Sequence, residues 1–183
     1  MLDYNKVKKD DRGFYYLGEY HSYWKNGLRN PEFDALLNSI KKKKKMYTNE
    51  IVSFSKKLDQ IVTNNDRLAI LCVPSHEVGS KGPNYEVIRM VCHKRGFIDA
   101  SNCLVRKQNI IKLAQGGNRS IETHLNSIDL VNPQLLDNKD ILLIDDVTTT
   151  GNSLRACEII IKRNVKTVKS LNSFVFAKTV WGK

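Results

Sequence analysis

The fold is decided by residues 141–154, which read ILLIDDVTTTGNSL. The four consecutive apolar residues at the start are typical of a strand buried on both faces of a parallel sheet. Two acids and a hydroxyl-rich turn follow, and a helix-spaced apolar pattern then continues to about Asn164. A strand, a turn and a helix in that order predict a βα unit with its turn at the carboxyl end of the strand.

The same alternation extends toward the N-terminus. A second apolar run covers residues 67–73 and stops at Pro74, and a helix pattern follows from Pro83 to Gly96. A further helix is predicted by one apolar stripe at spacings of three, four and three, formed by Ile51, Phe54, Leu58 and Ile61. Shorter strands are predicted over residues 14–17, 103–105 and 171–177. Strands that alternate with helices predict an α/β fold whose mostly parallel central sheet is flanked by helices.

Length and composition predict one folded structural domain. The chain has 183 residues, of which 41% are hydrophobic and 8% aromatic, and a chain of this length buries roughly 70% of its unfolded surface. We divide it into an N-terminal extension over residues 1–66, expected to form a small hood packed on the core, and a core over residues 67–183. No apolar run approaches the about 20 residues of a membrane helix, and the start of the chain lacks a signal-peptide pattern. We therefore expect a cytoplasmic protein without membrane contact.

The four cysteines indicate neither a zinc site nor a redox motif. Cys72, Cys92, Cys103 and Cys157 stand far apart, with no Cys-x-x-Cys pair. Reduced thiols are the expected state in a cytoplasmic protein.

The net charge of +11 predicts an anionic partner. Within residues 104–119 there are four bases and no acid, namely Arg106, Lys107, Lys112 and Arg119. A second basic run, Lys41 to Lys45, is read either as a solvated helix face or as a nucleic-acid contact. Charge alone does not separate the phosphate of a small metabolite from the backbone of a nucleic acid.

Each part of residues 145–153 has a chemical use. The free N–H groups and the positive end of the dipole at a helix start favour phosphate, threonine and serine hydroxyls add donors, and Gly151 allows close approach of the backbone. The carboxylates of Asp145 and Asp146 can accept hydrogen bonds from vicinal hydroxyls or hold a hydrated Mg²⁺. A sugar phosphate offers both groups. The alternative is that the acids face solvent and the threonines form only a helix cap.

This stretch closely resembles the phosphoribosyl pyrophosphate (PRPP) signature of the type I phosphoribosyltransferases, and the fold predicted above is the fold that this resemblance implies. It implies that Asp145 and Asp146 bind the ribose 2′- and 3′-hydroxyls and hold Mg²⁺ mostly through water and substrate. The implied loop around the 5′-phosphate consists of Val147, Thr148, Thr149, Thr150, Gly151, Asn152 and Ser153. Thr149 stands where the hypoxanthine-guanine type has an aspartate.

The remainder of residues 67–180 resembles the ComF-like branch of that family. Val73-Pro74 and Lys81-Gly82-Pro83-Asn84 are similar to its Val-Pro and Arg-Gly-Phe-Asn patterns, with Lys for Arg and Pro for Phe. Leu104-Val105-Arg106 and residues 115–119, reading QGGNR, are similar to its basic mobile segment.

The branch resemblance also implies a pyrophosphate site. Its residues are Ser75, His76, Lys81, Gly82, Arg106, Lys107 and Arg119, of which the last three close over the leaving group. The residues implied to take part in catalysis are Asp145, Asp146, Lys81 and Arg106, with Mg²⁺ as cofactor.

The function implied is Mg²⁺-assisted phosphoribosyl transfer from PRPP to an unidentified acceptor, with pyrophosphate as the leaving group. One alternative is a non-catalytic module of the same fold that senses a nucleotide, or binds nucleic acid through its basic surface, in DNA uptake, recombination or defence. Another is a protein-interaction subunit that retains the fold. Relatives commonly pair, so a homodimer is the expected assembly.

Overall fold

The computed structural model describes residues 1–21, 48–111 and 120–180. Its helices are α1 (Thr48–Ile61), α2 (Pro83–Arg95), α3 (Ile121–Ser127) and α4 (Asn152–Asn164). Its strands are β1 (Lys8–Lys9), β2 (Tyr15–His21), β3 (Leu68–Cys72), β4 (Ile98–Asp99), β5 (Leu104–Arg106), β6 (Ile128–Leu130), β7 (Lys139–Thr148) and β8 (Val168–Val180). A 3₁₀ turn covers Pro133–Leu135.

Six strands form the central sheet, in the order β1-β2-β8-β7-β3-β4. Every neighbouring pair is parallel except β1 with β2. Strands β5 and β6 form a separate antiparallel pair. The predicted mostly parallel sheet flanked by helices is confirmed.

Strand β7 lies between β8 and β3 and carries the chemistry-bearing segment to the carboxyl edge. Ile141 to Ile144 are fully buried, as the apolar run predicts. The strand continues four residues beyond that run, because β8 is long enough to pair with the extension: Asp145 lies opposite Val175 and Thr148 opposite Lys178. The acid pair was predicted at the end of a strand covering residues 141–144, and the structure includes both acids in the strand itself.

The two faces of the sheet form two cores. Alternate residues of β7 point to opposite sides, so Leu142 and Ile144 pack with α1 and α2 while Ile141 and Leu143 pack with α4. Helix α1 confirms its predicted stripe: Phe54 is fully buried, with its ring centroid 4.4 Å from that of Phe176. Helices on both faces leave the carboxyl edge of the strands as the place where loops meet.

The segment assigned to the N-terminal extension contributes directly to these layers. Strand β2 pairs along β8 in parallel, and α1 packs against α2. The division at residue 66 and the hood stay predictions, and Lys41 to Lys45 lie outside the described residues.

Two further expectations concern cysteines and membranes. All four cysteines are buried and free. Among the helices that the structure describes, none is long and apolar enough to cross a membrane.

Candidate functional site

A cavity of about 820 Å³ opens at the carboxyl edge of the sheet. It is lined by the segments that follow β3 and β7, by the first turn of α2, and by residues of the β4–β5 turn. The Val73 N–H donates to the Ile144 carbonyl at 2.9 Å, so the ends of β3 and β7 are held side by side. The two loops predicted to carry the chemistry therefore face the same space.

Asp145 and Asp146 line this cavity, both half-buried. Asp145 Oδ1 accepts from the Asp146 N–H at 2.9 Å, and Asp146 Oδ1 accepts from the Val147 N–H at 2.8 Å. Ser153 Oγ donates to Asp145 Oδ2 at 3.4 Å. One oxygen of each carboxylate is thus fixed by the backbone, which orients the pair.

The loop from Thr148 to Ser153 turns the chain from β7 into α4. Gly151 occupies the N-cap position with φ of +82°, a left-handed conformation that glycine adopts most easily. It has no side chain to cap α4, and the Asn152 N–H at the start of the helix donates to Thr150 Oγ1 at 3.5 Å. Thr148 is buried, and its Oγ1 has no hydrogen-bond partner within the described part of the chain. Donors of the loop and of the helix start therefore lie around one end of the cavity.

The loop after β3 forms the opposite wall. Ser75, His76, Lys81 and Gly82 all line the cavity, as predicted for a common site. His76 Nε2 lies 3.2 Å from Glu77 Oε1. Lys81 Nζ, exposed at the rim, donates to the Tyr85 hydroxyl at 3.0 Å, and this contact, with a second bond from Asn102, lowers the pKa of Tyr85.

Arg106 is built into that wall. Its side chain is buried, and its Nε donates to the Ser75 carbonyl at 2.8 Å while Nη2 reaches the Pro74 carbonyl at 3.4 Å. Its Nη1 donates to Ser127 Oγ. In this conformation the guanidinium braces the backbone of the loop after β3, which is the loop that it was predicted to act with.

The other two cations predicted for the pyrophosphate are placed differently. Lys107 is exposed and is not among the residues that line the cavity. Arg119 lies outside the described residues. Closure of these residues over a ligand stays a prediction.

Two cavity residues were missed by the sequence analysis as site residues. Asn84, in the first turn of α2, and Ser101, in the β4–β5 turn, are both more than nine-tenths buried. Asn84 Oδ1 and Ser101 Oγ lack a hydrogen-bond partner among the described residues. Asn84 was noted only for its place in the Lys-Gly-Pro-Asn pattern, and Ser101 sits in a turn that carries no motif.

Cys72, at the end of β3, also lines the cavity. Burial, with the Asp145 carboxylate as a second contribution, raises the pKa of its thiol to about 12. A raised pKa keeps the thiol protonated at neutral pH, which disfavours Cys72 as a nucleophile.

A family model described as a phosphoribosyl transferase domain matches residues 40–174, most of the chain. The chain belongs to the phosphoribosyl transferase family. The match includes both loops of the cavity and begins after β2.

The chain is also similar to several solved structures. One is a purine phosphoribosyltransferase from Pyrococcus horikoshii Ot3, at 13% sequence identity and a TM-score of 0.40, with 88% of this chain and 91% of that chain covered. That likeness is too distant to bear on the substrate. No curated protein matches the sequence significantly.

The donor set of the phosphoribosyl transferase fits a metal held partly by its substrate. The described residues contain no group of three or more histidines, cysteines or acids that would hold an ion by themselves. Two adjacent carboxylates offer oxygen ligands of the kind that Mg²⁺ prefers, and Mg²⁺ usually keeps several waters and binds through substrate phosphates.

Proposed function

We propose that this phosphoribosyl transferase binds PRPP in the cavity and transfers its phosphoribosyl group to an acceptor, releasing pyrophosphate. The observation that supports this most is that one cavity is lined by an oriented acid pair, by the loop from Thr148 to Ser153 at one end and by the Lys81 loop at the other. PRPP carries hydroxyls between two phosphate groups, and the three parts of the cavity have matching chemistry.

Each part then has a role. Asp145 and Asp146 accept hydrogen bonds from the ribose 2′- and 3′-hydroxyls. Residues 147–153 surround the 5′-phosphate with backbone N–H groups and hydroxyls, including the buried Thr148. Ser75 to Gly82 and the Lys81 ammonium meet the pyrophosphate, and Arg106 keeps the backbone of that loop in place.

In the reaction the bond between C1′ and the pyrophosphate oxygen breaks, and a bond from C1′ to the acceptor nucleophile forms. Positive charge develops on the sugar ring and negative charge on the departing pyrophosphate. Backbone N–H groups and Lys81, fixed where this negative charge grows, lower the barrier because they bind the transition state more tightly than the ground state. Mg²⁺, when bound, would neutralise part of the charge on the phosphates.

The finer assignments belong to the same proposal. Lys107 and Arg119 close over the pyrophosphate when PRPP binds, which keeps water away from the reactive sugar. The Lys81-Gly82-Pro83-Asn84 and Leu104-Val105-Arg106 segments favour the ComF-like branch. The acceptor is left open, because the residues that would contact it follow no fixed motif.

The acid pair is tested by titrating PRPP calorimetrically with and without Mg²⁺ while pyrophosphate release is followed. We expect the wild type to bind and the Asp145→Asn/Asp146→Asn variant to lose at least about tenfold in affinity, because hydrogen bonds to charged groups contribute about 1.5–3 kcal/mol each. Asp129→Asn is the matched control, since Asp129 Oδ1 also accepts from the following N–H, at 3.0 Å, but Asp129 is exposed on β6 and does not line the cavity. A wild type that does not bind PRPP with Mg²⁺ would contradict the proposal.

A second candidate function is supported by the net charge of +11. It is a non-catalytic module that retains the PRPP site and binds nucleic acid. Binding of PRPP without pyrophosphate release for any acceptor, together with salt-dependent binding of DNA or RNA, would favour it. Absence of nucleic-acid binding at low ionic strength would rule it out.

A further inference from the structure

The turn between β1 and β2 packs against the loop that enters α4. Arg12, in this turn, donates from Nη1 to the Thr149 carbonyl at 2.8 Å, across 137 positions of sequence. Thr149 and Thr150 line the cavity, whereas Arg12 is not among the lining residues, so the guanidinium approaches the loop from outside. The turn also lies outside the family match over residues 40–174.

Asp10 holds Arg12 in this position. Its Oδ2 lies 2.8 Å from Arg12 Nε and 2.6 Å from Nη2, and its Oδ1 accepts from the N–H groups of Arg12 and Phe14 at 3.0 and 2.9 Å. Only 1% of the Asp10 side chain is exposed. A guanidinium that is hydrogen-bonded at Nε and ion-paired at Nη2 with a buried carboxylate has little freedom to leave the Thr149 carbonyl.

A return contact joins the helix to the same turn. Arg155, in the first turn of α4, donates to the Arg12 carbonyl. The Arg12 and Arg155 guanidiniums lie 5.4 and 4.8 Å from the centroid of the Phe14 ring, and that ring packs directly on Gly151. The turn therefore contacts the loop at Thr149, at Gly151 and through Arg155.

The bond to Thr149 decides which way one peptide group faces. In a planar trans peptide the carbonyl and the N–H of the next residue point in opposite directions. Because Arg12 holds the Thr149 carbonyl on the outside of the loop, the Thr150 N–H is turned toward the cavity side. A flipped peptide would present a carbonyl oxygen, which repels phosphate, in place of a donor.

On the basis of the proposed function, we propose that Arg12 is a positioning residue of the 5′-phosphate site. It keeps the Thr149–Thr150 peptide in the orientation that offers an N–H to the phosphate. The N-terminal segment thus completes a site whose other residues lie in the family-matched part of the chain.

The test measures two ligands separately, ribose 5-phosphate for one end of the cavity and inorganic pyrophosphate for the other. We expect Arg12→Ala to lower the affinity for ribose 5-phosphate by about tenfold, the effect of one charge-assisted hydrogen bond. Its affinity for pyrophosphate should stay within about twofold of the wild type. Arg12→Lys should recover part of the loss, because an ammonium can donate to the carbonyl but cannot match the fork held by Asp10.

Arg95→Ala is the matched control. The Arg95 side chain is 23% exposed against 24% for Arg12, and it pairs with Asp59 and donates to the Asp59 carbonyl, remote from the cavity. This variant should be destabilised while its ribose 5-phosphate affinity stays that of the wild type.

Unchanged ribose 5-phosphate affinity in Arg12→Ala would overturn the inference while the proposed function stands. Equal weakening of both ligands would also overturn it, since it would indicate a general structural defect. A wild type that binds neither PRPP nor ribose 5-phosphate would overturn the proposed function, and this inference with it.

Discussion

Among the described glycines compared for an added Cβ, Gly151 has the least space for a side chain. Its φ of +82° disfavours any side chain, and an added Cβ would collide with the Phe14 ring. Gly79 offers a comparison, because its φ of +72° is similar but nothing lies within 4 Å of an added Cβ. Comparing alanine substitutions at the two glycines therefore separates the cost of the left-handed backbone from the cost of the collision with Phe14.

We expect Gly79→Ala to lower the free energy of unfolding by about 1 kcal/mol, the cost of a left-handed alanine. Gly151→Ala should lower it by about 2–4 kcal/mol, because overpacking adds about 1–3 kcal/mol. Urea unfolding measures both, and Gly151→Ala combined with Phe14→Leu should regain part of the loss. Equal losses in the two single variants would show that the Phe14 contact relaxes at no cost.

At the scale of elements, α1 depends on its buried aromatic contact more than on its sequence propensity. Phe54 is fully buried and packs edge-on against Phe176 of β8. The centroid of the Phe176 ring lies 5.2 Å from that of Phe174. The contact between Phe54 and Phe176 joins a helix near the N-terminus to the last strand. Loss of the ring would leave a cavity between the helix and the sheet.

Phe54→Ala should therefore lower the free energy of unfolding by about 3–5 kcal/mol. Phe54→Leu, which keeps most of the apolar volume, should cost clearly less. PRPP affinity, measured well below the unfolding midpoint, should not change in either variant, because Phe54 does not line the cavity. A loss below about 1 kcal/mol for the alanine variant would contradict this account of α1.

The elements that could be predicted from sequence are those long enough to show a periodic or continuous pattern of apolar residues. The apolar runs at β3 and β7 and the stripes of α1, α2 and α4 confirm that a buried strand or a helix of three turns leaves a readable pattern. Strands β1 and β4 have two residues each, and α3 has seven, so no period can develop in them. The end of β7 was misplaced because pairing with β8, rather than hydrophobicity, extends it.

For the whole molecule, the carboxylates of Asp10, Asp59 and Asp140 make the free energy of unfolding depend on pH. Hydrogen bonds from Lys94 lower the pKa of Asp59, and those from Asn65 and Ser170 lower the pKa of Asp140. Burial raises the pKa of Asp10, but its bonds to Phe14 and Arg12 outweigh burial and the net shift is also downward. All three groups favour the charged form in the folded state.

Since these folded-state pKa values lie below that of an unfolded aspartate, about 3.9, the stabilisation is present above that pH. It is lost as the pH falls through the lowered values. We expect the thermal midpoint to fall steeply below about pH 4. Between pH 5 and 7 these groups stay charged and should change the midpoint little. Asp140→Asn should show a shallower acid decline than the wild type. A midpoint that is the same at pH 3 and pH 6 would contradict this assignment.

The site could be predicted from sequence where its residues fall in short motifs. The acid pair and the loop to Ser153 form one motif, and the chain brings them to one cavity with the loop after β3. Arg12 reaches Thr149 across 137 positions, and Ser101 reaches the cavity through a turn without a motif. Contacts of that kind depend on the positions of β2 and β4 in the sheet, and no local sequence pattern indicates those positions.

The glycine at the N-cap of α4 has a further consequence for motion. The first turn of this helix begins at a glycine, and the Asn152 N–H reaches the Thr150 hydroxyl only at the long distance of 3.5 Å. A helix end of this kind frays, and its amide hydrogens exchange with solvent through local opening. A phosphate bound there would act as the cap. For a ligand that binds only the closed turn, the free energy needed to open the turn would rise by RT ln(1 + [L]/Kd).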